Sequence, residues 1–158
     1  MMRNLLAGIA AGAAGTTALN AVTYLDMAAR ARPASSTPDA TVRKAQELTG
    51  IDLGESTEDV ENRRSALGAL LGIASGLATG ALYGLLRPRL RQVPLGVLGI
   101  GAGLAANVGT TGPMAALGVT DPRTWPADSW VSDLVPHLAY GLATAAAFES
   151  FRRPGRSR

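Results

Sequence analysis

Asp133, His137, Tyr140 and Thr144 recur at i, i+4, i+7 and i+11, a spacing that places an acid, an imidazole, a phenol and a hydroxyl on one stripe of a helix. An ionisable residue inside a bilayer points to function, and this stripe would suit a proton-sensitive or proton-conducting site. The plainer alternative is a neutral His137 ring that hydrogen-bonds Asn20, Asn107 or a carbonyl and locks helices together. Asn20 and Asn107 fall in two other apolar stretches, where a side-chain amide must find a partner. Asn20, Asn107, Asp133, His137 and Tyr140 are therefore the candidate polar site.

Catalytic templates fail one by one. Ser129, Asp133 and His137 share a helical row, but the acid lies between Ser and His, whereas a nucleophilic triad needs His in the middle. The chain has 0 Cys and 1 His, which removes thiolate chemistry and Cys-bound metal sites. Lys44 is the lone lysine. No glycine-rich loop leads into Lys-Ser or Lys-Thr, and Gly99-Ile100-Gly101-Ala102-Gly103 lacks the dinucleotide-binding spacing. The sequence reads as a protein that is not an enzyme and needs no cofactor or metal.

The elements that carry these residues are set by where charge is missing. Residues 4–25, 65–86 and 92–120 hold no Asp, Glu, Lys or Arg, and residues 129–151 hold only Asp133 and Glu149. About 20 apolar residues cross a hydrocarbon layer of about 30 Å. A soluble helical bundle would show a charged face at helical spacing, and these stretches show none. The prediction is an all-α integral membrane bundle of four transmembrane helices forming one domain over residues 1–158. Its spans fall at about 4–25, 65–86, 94–117 and 130–151.

Both termini then lie on one side, with Arg3, Arg87, Arg89, Arg91, Arg152, Arg153, Arg156 and Arg158. These compact basic clusters hug the span ends and predict cytoplasmic termini in a bacterial inner membrane. Trp125 and Trp130 fall at the outer interface, with Tyr83, Phe148 and Phe151 near the inner one. Basic residues at span ends read as topology signals or lipid attraction, with no nucleic-acid partner. The N-terminus loosely imitates a signal peptide ending near Ala29-Arg30-Ala31, but its apolar run is longer than an h-region and retention is expected.

The outer loop, residues 26–64, holds a short helix over about 38–49, started by Thr37-Pro38-Asp39 and ended by Gly50. Ser56 and Asp59 resemble a capping box opening the second span.

Gly68, Gly72, Gly76, Gly80 and Gly84 form a register of every fourth residue, and Gly99 and Gly103 repeat the theme. Glycines at this spacing let another backbone approach closely. The pattern leaves open a homo-oligomer, a pore wall, a partner membrane subunit or tight packing within one chain. Pro113 and Pro136 are expected to break or kink their spans, exposing carbonyls that can line a cavity. A faint echo of "LAGIAAGAAGTT" in "VLGIGAGLAANVGTT" suggests a duplicated unit of the kind transporters use.

The segment "LGVTDPRTWPADSWVSDLVPHLAYG", Leu117 to Gly141, resembles the end of the YagU-like bacterial inner-membrane proteins. These share a Trp-bearing outer loop and a final helix opening with acid, His and an aromatic. The chain also resembles small actinobacterial membrane proteins, including at "ALNAVTYLDMAARARPASSTP". The YagU-like resemblance implies an integral membrane protein linked to acid resistance, and Asp133 and His137 are the positions it carries over. The chain departs from that family in a core rich in Ala and Gly rather than aromatics.

Overall fold

A computed structural model describes residues 1–152, so Arg153, Arg156 and Arg158 lie outside the described residues. Among these residues the fold is all helical, with α1 Met2–Arg30, α2 Thr37–Thr49, α3 Thr57–Leu86, α4 Leu95–Ala116 and α5 Ala127–Arg152. Short 3-10 turns at Arg87–Arg89 and Pro122–Thr124 join α3 to α4 and α4 to α5.

Local chemistry explains most boundaries. The Ser56 hydroxyl accepts the Asp59 amide at 3.0 Å, and Glu58 and Asp59 lie in the first turn, near the positive end of the α3 dipole. α2 starts at Thr37 with Pro38 in its first turn, and Gly50 closes it at φ 71°, a conformation that costs glycine little. Pro113 and Pro136 both lie inside their helices, so of the break or kink expected from sequence neither proline makes a break. Pro113 stands three residues before the end of α4, so the carbonyl it leaves unpaired belongs to the last turns.

Three helices are long and apolar enough to cross a membrane: α1, α3 continued through its 3-10 turn, and α4. α5 has the length, but Asp133, Pro136 and His137 dilute its first half. α1 and α3 outrun the charge-free stretches, and α3 takes in the charged segment Glu58–Arg64 as its first turns.

The four long helices pack in the order α3, α1, α5, α4, with α1 and α5 central and little contact between α3 and α4. The echo between the first and third apolar stretches therefore links a central helix to an outer one, which is not the relation of two equivalent repeats. α2 lies against the beginning of α3, where Val42 is buried and Arg64 donates to Gln46 Oε1 at 2.8 Å.

The interior is built from Ala11, Ala102, Ala145, Tyr83 and Phe148. The larger aliphatics point outward, among them Leu70, Leu71, Ile73 and Leu82 on α3 and Val97, Ile100, Leu104 and Val108 on α4. Outward-facing aliphatics along helices of this length and apolarity suit a lipid-facing exterior.

Polar clasps fix both ends. At one end Asp26 Oδ2 accepts from Arg32 Nε at 2.5 Å and from the Ser132 hydroxyl at 3.3 Å, tying the end of α1 to the start of α5. Arg30 Nη1 also donates to Ser132 Oγ at 2.9 Å. At the other end Arg87 Nε donates to Glu149 Oε1 at 2.7 Å, joining the ends of α3 and α5. Between α4 and α5, Trp125 and Trp130 pack with ring centroids 5.2 Å apart and their planes tilted by 59°, and Trp125 Nε1 donates to Thr120 at 2.8 Å. The Arg123 guanidinium beside Asp121 holds that carboxyl below the usual carboxylate range. Asp26→Asn is expected to lower the unfolding temperature in detergent, by an amount that shrinks as salt rises. An unchanged melting curve at low salt would show that the clasp contributes nothing measurable.

Candidate functional site

α4 and α5 meet along Gly99, Gly103 and Asn107, all buried. A Cβ on Gly103 would lie 2.5 Å from the His137 carbonyl oxygen and 3.1 Å from Leu138 Cα. A Cβ on Gly141 would lie 2.7 Å from Gly103 Cα. Backbones at this distance bring the next row of side chains, Asn107 on α4 and Asp133 and His137 on α5, into direct contact.

Asn107 Nδ2 donates to Asp133 Oδ2. His137 Nδ1 lies 2.7 Å from the Asp133 carbonyl oxygen and 3.6 Å from Asp133 Oδ1. A carbonyl oxygen only accepts, so this contact assigns the proton of a neutral ring to Nδ1. Asn107 Nδ2 stands 3.4 Å from the same nitrogen, and two donors do not bond each other. The amide therefore serves Asp133, and Nε2 keeps a free lone pair. The side chains of His137 and Asp133 are 14% and 24% exposed, so the cluster is shielded but reachable at its edge.

The stripe on α5 does not remain one chain of contacts. Tyr140 is 1% exposed, and its hydroxyl donates across to the Gly76 carbonyl of α3 at 2.6 Å. Space for the ring comes from α1, because a Cβ on Gly15 would lie 2.8 Å from Tyr140 Cδ2. Thr144 is fully buried in the same region, with no partner for its hydroxyl among the described residues. Asp133 and His137 thus face α4, while Tyr140 and Thr144 face α1 and α3.

Asn20 stands apart from all of these. It is exposed on α1 and makes no side-chain hydrogen bond among the described residues, so α1 delivers no amide to His137. The expected Asn20 partner does not come from the described residues.

The glycine register of α3 is shared between neighbours. A Cβ on Gly80 would lie 2.5 Å from Gly12 Cα, and one on Gly84 would lie 2.9 Å from Gly8 Cα, so these two face α1. Gly76 also faces α1, next to the Thr16 hydroxyl. Gly68 instead meets Pro38 of α2, at 2.8 Å from its Cβ, and Gly72 has open space around it.

Sequence reasoning missed Gly15 and Gly141. Gly141 forms a small pair with Ala145 four residues on, which would have pointed to a close neighbour on that face. Gly15 carries the same kind of signal, lying four residues after Ala11, on a row separate from Gly8 and Gly12.

Fold and surface define an all-helical protein with three helices built to cross a membrane. No family model, curated protein or solved structure matches the chain.

Proposed function

We propose that the chain is a non-catalytic multi-pass protein of a bacterial cytoplasmic membrane that acts through helix packing, as a structural or accessory component. The observation that carries this reading is the pair of backbone-to-backbone seams, Gly12 on Gly80 and Gly103 on Gly141. Close approach of this kind gains dispersion contacts that lipid does not supply, so it stabilises helices already inserted in a bilayer. α5 is the fourth span, because it packs between α1 and α4 and must share their environment. Arg3, Arg87, Arg89, Arg91 and Arg152 gather at one end, which by the positive-inside tendency faces the cytoplasm with both termini.

A second reading rests on Asn107, Asp133 and His137, brought together with a free Nε2 on the imidazole. A proton-conducting or pH-responsive protein would need such a group, and the resemblance to YagU-like proteins points the same way. Tyr140 would extend that path toward α3. Purified protein in liposomes loaded with a pH-sensitive dye separates the two readings. The packing role predicts no flux above empty vesicles and no difference between the native chain and His137→Ala. Flux that His137→Ala abolishes would overturn the packing role and make α5 the conducting helix.

A further inference from the structure

We infer that the outward face of α1 is the contact between two copies of this chain, held in register by Asn20 against the partner's Asn20. The inference rests on the membrane reading above. Leu6, Ala10, Ala13, Thr17, Asn20 and Tyr24 alternate in steps of four and three, the spacing of a helix seam that packs against another helix at a shallow crossing. All six are exposed, on the side of α1 away from the buried Gly8, Ala11, Gly12 and Gly15. The centre of the face is small, and larger side chains close its two ends, Leu6 at 58% and Tyr24 at 63% exposure.

Asn20 makes this face unlike the Leu-rich outer surfaces of α3 and α4. It lies about 8 Å beyond the midpoint of residues 4–25, well within a hydrocarbon half-thickness of about 15 Å. An amide at that depth has no water to bond, and no group among the described residues bonds it. Thr17 by contrast is satisfied, since its hydroxyl donates to the Ala13 carbonyl at 3.0 Å. The face carries no charge that would select an oppositely charged partner.

A second copy fits for a geometric reason. Two copies inserted the same way round are related by an axis along the membrane normal, so each residue meets itself at equal depth. An amide has both donor and acceptor, and Asn20 opposite the partner's Asn20 therefore satisfies both groups. Ala10, Ala13 and Thr17 allow the two helices to come close enough for that pair to form.

The chain has 0 Cys, so single cysteines report contacts without background. The test is oxidative cross-linking of Ala13→Cys, Thr17→Cys and Leu142→Cys in native membranes, the last being exposed on α5. Cross-linked dimer is expected at Ala13 and Thr17 and not at Leu142. Asn20→Leu is expected to weaken dimerisation in lipid about tenfold, and Asn20→Gln to retain most of it. Equal cross-linking at Leu142, or association unchanged by Asn20→Leu, would overturn the inference and leave the face to lipid or another protein. Alkaline carbonate extraction of the native chain separates the two levels of failure. Retention in the membrane without cross-linking overturns only the dimer, whereas release overturns the membrane reading and the dimer with it.

Discussion

Gly80→Ala is expected to destabilise the folded protein by about 1–3 kcal/mol, whereas Gly72→Ala, two turns away in the same register, leaves it unchanged or slightly more stable. The added methyl at Gly80 would meet Gly12 Cα at 2.5 Å and Gly12 N at 2.7 Å, both backbone atoms that no rotamer change can move. Relief requires α1 and α3 to separate, and separation forfeits dispersion contacts along the seam through Gly8 and Gly84. At Gly72 the same methyl enters open space. Gly80→Leu should prevent recovery of a folded monodisperse species. Unfolding in mixed detergent micelles at increasing denaturing-detergent fraction gives the comparison directly. Equal responses at Gly72 and Gly80 would show that the register matters for helix propensity alone and that no close seam exists.

The division of that register among three surroundings follows from helix geometry. At 3.6 residues per turn, each four-residue step advances about 40° beyond a full turn. Gly76, Gly80 and Gly84 stay within one face and meet α1, but Gly68 has rotated far enough to meet α2. The same drift separates Gly8 and Gly12, which face α3, from Asn20, which three steps from Gly8 has turned outward. A row of small residues is legible in a sequence, while the neighbour each member meets is set by the crossing of two helices. The presence of each helix and some of its ends were legible for the converse reason. Charge-free length, Ser56 with Asp59, and Gly50 are local signals that need no partner. Pro113 and Pro136 leave their helices unbroken, each removing one backbone donor while α4 and α5 continue through them, with Pro136 buried.

The polar site was legible as residue types and only half legible as a constellation. Helical spacing alone places Asp133 and His137 together, since i and i+4 are neighbours on any helix. That Asn107 rather than Asn20 completes the group depends on Gly103 lying against the His137 carbonyl, a tertiary contact between α4 and α5. Tyr140 left the group because Gly15 and Gly76 open a space toward α3 that the ring fills. The acid, amide and imidazole therefore form a bridge between two helices, and their energetic role can be separated from any proton chemistry.

Asn107→Leu is expected to destabilise the protein by about 1–3 kcal/mol, more than loss of one interhelical hydrogen bond alone, which averages about 0.6 kcal/mol in a membrane protein. The excess arises because Asn107 Nδ2 is a donor to Asp133 Oδ2, and its removal leaves a largely shielded carboxylate with one fewer donor. The double variant Asn107→Leu/Asp133→Leu removes the stranded acceptor together with its donor, so it should cost less than the sum of the single changes. His137→Ala should cost less than Asn107→Leu, because the ring's one short contact is to a carbonyl of its own helix, at 2.7 Å. Mixed-micelle unfolding of the four variants supplies the cycle. Strict additivity of Asn107→Leu and Asp133→Leu would mean that the two side chains do not interact, and the bridge between α4 and α5 would then rest on the Gly103–Gly141 seam alone.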